Sequence, residues 1–184
     1  MLRTSNDTYT STTVVAPFGQ GLFPDFGDEL GMVDDKGMLE LRSDRPLYVT
    51  SRTFNHTADG TYGQYLAGMA EDEGLGRGES ATLPQLVQNP DFRTNLGFAN
   101  MGSVPATVEV TLHDAAGFEV GALTVSLEPG LMHQENSVFE SYAGRSDIDG
   151  GYAIVTVTAG SGVVAYASVI DRGTGDAMTV PMWR

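Results

Sequence analysis

The segment "ATVEVTLHD" is a strict period-two pattern: Val108, Val110 and Leu112 alternate with Thr107, Glu109, Thr111 and His113. Successive side chains of a strand point to opposite faces, so this pattern predicts a strand with one buried and one wetted face. "ALTVSLEPG" repeats it with Leu123, Val125 and Leu127 and stops at Pro129-Gly130, a turn signal. The short Gly-bearing "DAAGFEVG" between them suits a hairpin. "GYAIVTVTAG" and "GVVAYASVID" are apolar on both faces and rich in β-branched residues, which predicts central strands. Further strands are expected at 9–16, 38–41, 46–54, 61–67, 94–100 and 177–182. The single expected helical turn is "LPQLVQ", Leu83 to Gln88, with Pro84 at an early position that tolerates proline.

An all-β chain of 184 residues can bury a core without crosslinks: roughly 70% of the unfolded surface is lost at this size. None is on offer, because the chain has no cysteine, which also excludes thiol nucleophiles and Cys-based zinc sites. The formal charge is −14, and Lys36 is the only lysine among ten basic residues. So negative a surface repels phosphate backbones and anionic membranes, and neither nucleic acid nor membrane insertion is expected. No apolar run reaches the eighteen residues that a membrane helix needs.

The segment "GMAEDEGLGRGES" (68–80) is Gly- and Glu-rich and reads as a linker. It divides the chain into a first unit over 1–68, a linker with the helical turn over 69–91, and a second unit over 92–184. The halves share a pattern. "LELRSDRPLYVTSRTFN" (39–55) lies on "VTVTAGSGVVAYASVID" (155–171) without a gap, with Leu39 on Val155 and Asn55 on Asp171. On this reading the first unit lacks its leading strands and exposes a sheet edge, a route to a homodimer.

The runs "SDRPLYVTSRTFN…GTYGQ", "RTNLGFAN" and "AYASVIDRGTGD" resemble tandem β-sandwich modules of large secreted bacterial proteins. That resemblance implies an immunoglobulin-like β-sandwich and an extracellular or cell-surface setting. It implies no activity, cofactor or catalytic residue.

Candidate sites are few. In "SRTFNHTADGTYGQY" (51–65) an Arg, a His, an Asp and two Tyr surround an Asp59-Gly60 turn, and a hairpin accounts for all of them. Tyr48, Thr50, Arg52 and Phe54 fall on one face of its first strand, and Leu47, Val49, Ser51 and Thr53 on the other. Tyr48, Arg52 and, beyond the turn, Tyr62 form the candidate binding surface, offering rings and a guanidinium to a protein or a polysaccharide. Asp147 and Asp149 in "DIDGG" resemble the start of a calcium loop without its later acidic ligand. His133 and Glu135 fall on one side of a strand, but two ligands make no zinc site. His113 and His56 stand far from them in sequence. No metal or other cofactor is expected.

The sequence lacks G-x-S-x-G, Walker and H-E-x-x-H motifs. The expected function is therefore a non-catalytic accessory or adhesion module. The rivals are a carbohydrate-binding module and a small hydrolase or metalloenzyme on a β scaffold.

Overall fold

The structure is a computed structural model, and it describes residues 1–4, 7–32, 36–58 and 60–184. The chain is mostly strand, with antiparallel pairing throughout the described sheets. It divides into Met1–Pro46 and Leu47–Arg184.

In the first unit β1 (Leu2–Thr4) lies between β2 (Thr8–Tyr9) and β3 (Gly37–Leu39). A short helix, α1 (Phe26–Leu30), starts at Asp25, whose Oδ1 accepts the Asp28 N–H at 3.2 Å. The sequence expectation of a strand over 9–16 survives only at Tyr9.

The second unit begins with β4 (Thr50–Thr57) and β5 (Gly60–Ala67), paired as a hairpin in which Thr57 faces Gly60. The predicted hairpin is therefore present, and its φ of 139° at Gly60 is one that side chains rarely permit. Asp59 lies outside the described residues. Next come β6 (Ser80–Gln88), β7 (Phe92–Asn100), β8 (Ala106–His113), β9 (Glu119–Leu127) and β10 (Met132–Glu135). After a short helix, α2 (Val138–Ala143), the chain ends in β11 (Ile148–Ala159), β12 (Val163–Asp171) and β13 (Ala177–Pro181). Apart from the hairpin these form two four-stranded sheets, β10-β7-β12-β13 and β6-β11-β8-β9.

Both sheets contribute to one apolar core. Val108, Val110, Leu112, Leu123, Val125 and Leu127 are all buried, as their alternation predicts. From the other sheet come Leu96, Phe98, Val163, Ala167 and Val169, and α2 adds Val138 and Phe139. The two β-branched runs are indeed interior strands, β11 between β6 and β8, and β12 between β7 and β13. Fully burying a Val, Leu or Phe contributes about 1.5–3 kcal/mol, so this layer dominates the stability.

Four sequence expectations need correcting. Leu83–Gln88 is not a helical turn but the end of β6, paired with β11. Pro84 sits where the register shifts between Gly151 and Ala153, and Gln85 has φ of 57°. The proline lacks an N–H, and a bulge in an edge strand accommodates it. Nor is 69–91 a linker. Leu75 is fully buried, bridges to Val163 and accepts no exposure, while β6 belongs to the second unit. The first unit ends at Pro46, not at residue 68, and the hairpin belongs with the second. Finally, the two halves of the sequence repeat take different structures. β12 is buried along most of its length, whereas every residue of β4 is exposed and Arg42–Val49 lies outside the strands.

Gly97 and Tyr166 are cross-strand partners, and a Cβ on Gly97 would lie 2.3 Å from the Tyr166 ring. The ring covers the bare backbone, a known device for stabilising glycine in a sheet. Gly97→Ala should therefore cost about 1–3 kcal/mol in urea unfolding. In a Tyr166→Ala background the same change should cost much less, and equal costs in both backgrounds would refute the packing argument.

Candidate functional site

The β4–β5 hairpin presents two chemically different faces. Its register pairs Arg52 with Tyr65, Phe54 with Gly63 and His56 with Thr61. These residues share the outer face, because directly opposed side chains point the same way. The Arg52 guanidinium carbon lies 5.3 Å from the centroid of Phe54, and an Nη2 donates to Thr61 Oγ1 at 3.2 Å. Gly63 makes room for this arrangement, since a Cβ there would meet the Thr53 carbonyl oxygen at 2.0 Å and Phe54 Cβ at 2.7 Å. Tyr48 lies just before β4 and hydrogen-bonds Tyr65; that bond, followed by partial desolvation, holds the Tyr65 phenol above its usual pKa. Tyr48 is 88% exposed, Phe54 50% and Tyr65 53%, so the whole group faces solvent.

The opposite face is turned toward β12 and β13. Gln64 Oε1 accepts from the buried Ser168 Oγ at 2.6 Å. Thr179 Oγ1 donates to the Tyr65 carbonyl at 2.7 Å, and the Gly63 N–H donates to Asp176 Oδ1 at 2.9 Å. Tyr62 lies here. The structure thus unites Tyr48 and Arg52, as expected, but replaces Tyr62 with Tyr65 in their group. In a two-residue hairpin, parity settles which tyrosine goes where: Tyr65 opposes Arg52, whereas Tyr62 opposes Asn55. The sequence carried that signal, because Thr57 and Gly60 flank the turn.

Tyr62 instead lines a cleft of about 400 Å³ with Phe92, Val169, Asp171, Thr174, Asp176 and Met178. Asp171 Oδ1 accepts the Thr174 and Gly173 N–H groups at 2.8 and 2.7 Å, and these bonds hold its carboxyl below the usual range. No sequence motif marked this cleft, whose walls come from β5, β7, β12, β13 and the β12–β13 turn.

The other candidates stand apart. Asp147 is gripped by Arg145, Nε to Oδ1 at 2.5 Å and Nη2 to Oδ2 at 3.1 Å, and Arg145 lowers its pKa. Asp149 is exposed on β11, opposite Val87. Among the described residues no three His, Asp or Glu side chains converge as a metal group. His113 stacks on Tyr152, with centroids 4.6 Å apart, and its Nε2 is 3.0 Å from Thr111 Oγ1. His56, His113 and His133 lie on three different sheets.

His133 does meet Glu135, Nε2 to Oε1 at 2.7 Å, and the Tyr142 hydroxyl donates to Glu135 Oε2 at 2.8 Å. Tyr142 belongs to α2, so this group ties the helix to β10. Partial burial pushes the Glu135 carboxyl up, but the bonds from His133 and Tyr142 outweigh it and leave the pKa lowered. The same bond raises the Tyr142 phenol.

No family model matches the chain, and no curated protein matches it. A crystal structure titled Thermotoga maritima 1070 resembles it with a TM-score of 0.46 at 14% identity, over 59% of this chain and 96% of that one. A likeness so slight carries no inference. Among the described residues no helix is long and apolar enough to cross a membrane.

A lowered carboxyl pKa contributes stability above the unfolded-state pKa, and that contribution is lost as pH falls through the folded value. Glu135→Gln should therefore be less stable than the parent at neutral pH, with the gap closing as the medium is acidified below the ordinary carboxylate range. Chemical denaturation of both proteins across pH 3 to 7 reads this; a gap that widens in acid would contradict it.

Proposed function

We propose that the protein is a non-catalytic recognition module of adhesion type, an extracellular β-sandwich of immunoglobulin-like character that engages a partner protein through the outer face of the β4–β5 hairpin. The observation carrying this reading is the clustering of Tyr48, Arg52, Phe54 and Tyr65 on one solvent-facing surface. Tyr and Arg dominate the energetics of protein interfaces, where flat rings and a planar guanidinium bury much area with few rotatable bonds. The register puts no acidic side chain on this face, although the chain carries −14 overall. Arg52 thus offers its charge to a carboxylate on an otherwise apolar partner surface. The extracellular setting rests on the resemblance to secreted modules.

A polysaccharide is the weaker fit. Sugars stack on the open faces of aromatic rings, but the guanidinium of Arg52 lies over Phe54, and the Tyr48 and Tyr65 hydroxyls are bonded to each other.

Selection from a displayed random-peptide library should enrich peptides that combine an aromatic with an acidic residue. Arg52→Ala or Phe54→Ala should weaken their binding by about 1–3 kcal/mol, roughly 5- to 150-fold, while Thr124→Ala on β9 should leave it unchanged. Failure to enrich any peptide, or binding insensitive to these residues, would overturn the reading. Retention on a glycan array that depends on Tyr48 and Phe54 would replace it with the carbohydrate reading.

A further inference from the structure

The cleft beneath the hairpin has an unusual balance of chemistry. Its walls are apolar or aromatic, from Tyr62, Phe92, Val169 and Met178, and its polar groups include two carboxylates, Asp171 and Asp176. It is an open cleft of about 400 Å³. The two acids flank one turn, where the Asp171 N–H donates to the Asp176 carbonyl at 2.8 Å.

Each carboxylate is held by backbone N–H groups through its Oδ1. Asp171 Oδ1 takes the Gly173 and Thr174 N–H groups, and Asp176 Oδ1 takes the Gly63 N–H. These bonds orient the carboxylates without neutralising them. Among the described residues no basic side chain forms an ion pair with either acid. The neighbouring Arg172 pairs with Glu140 instead, Nη2 to Oε2 at 3.3 Å, and its Nε donates to the Phe92 carbonyl. Two unneutralised negative charges thus remain beside aromatic and apolar walls. Positive charge is attracted both to carboxylates and to ring faces, and an apolar arm attached to it would cover Val169 and Met178.

We propose that this cleft binds an organic cation on an alkyl arm, the chemistry shared by arginine and lysine side chains and by free alkylamines. The site is on the opposite side of the hairpin from the recognition face and does not depend on that reading.

Titration followed by amide chemical shifts in uniformly labelled protein tests it, with three probes: N-acetylarginine methylamide, n-butylammonium, and the neutral isostere N-acetylcitrulline methylamide. The two cations should produce saturable shifts at Gly63, Asp171 and Met178, with the citrulline probe at least tenfold weaker. Tighter binding of the capped arginine would assign the site to a peptide side chain, and tighter binding of butylammonium to a free amine. Asp171→Asn combined with Asp176→Asn keeps both oxygen acceptors and removes both charges, so spectra of distant residues should be preserved while cation binding falls tenfold or more. Equal shifts from the citrulline probe, cation binding unchanged in the Asn variant, or no saturable shift at millimolar probe would each overturn the proposal. The comparison of probes on the parent protein stands even where the variant misfolds.

Discussion

The larger unit depends on alternation: each strand sends every second side chain into one apolar layer shared by two sheets. Val108, Val110 and Leu112 meet that layer from one sheet, and Leu96, Phe98 and Val169 from the other. Only a backbone with all its hydrogen bonds made in the ladders can be placed so close to a dry interior. The ladders in turn need regular side-chain parity, and the β-branched runs β11 and β12 accordingly take interior positions. The proline is kept to an edge. Pro84 and the positive φ at Gln85 occur on β6, an edge strand, where the missing donor and the bulge do least harm.

The hairpin obeys a different logic. A two-stranded ribbon has no layer of its own to bury and is marginal alone in water. Here β5 is fastened to β12 and β13 by polar contacts: the Ser168 hydroxyl on Gln64, Thr179 on the Tyr65 carbonyl, and Asp176 on the Gly63 N–H. Each such bond has a net worth of only about 0.5–1.5 kcal/mol, but together they hold one edge of the ribbon while β4 stays in solvent. Aromatic side chains on the outer face are consequently displayed instead of consumed by packing.

Much of the two-sheet core was legible in the sequence because burial on one face leaves a period-two trace. Leu123, Val125 and Leu127 were readable for that reason, as was the hairpin around Gly60. The errors arose where the same trace has more than one physical source. "LPQLVQ" presents an early proline and spaced leucines, which suit a helix start and an edge-strand bulge equally. The pattern of 39–55 matches that of 155–171, yet only the second copy has a partner sheet against which to bury itself. Leu75 was invisible within a Gly- and Glu-rich stretch, since one buried side chain has no period. Of the hairpin's outer face, strand parity marks Tyr48 and Arg52, whereas Tyr65 follows only when that parity is carried through the turn. The cleft was illegible, as its walls converge from three segments far apart in sequence, around Tyr62, around Phe92 and over 169–178.

Gly63 links the two surfaces. On the outer side its lack of a Cβ leaves space for Phe54, and thereby for the guanidinium that lies over that ring. On the edge its N–H orients Asp176, one of the two carboxylates of the cleft. The seat of the ring and the orientation of the acid are therefore set by one residue's backbone. A displacement of β5 along its own axis would disturb both, because successive residues of a strand alternate between faces and the ribbon cannot slip by one without inverting them. The polar fastenings to β12 and β13 hold that register. In this fold the same three hydrogen bonds that keep the hairpin attached also decide which chemistry it offers to solvent and which to the cleft.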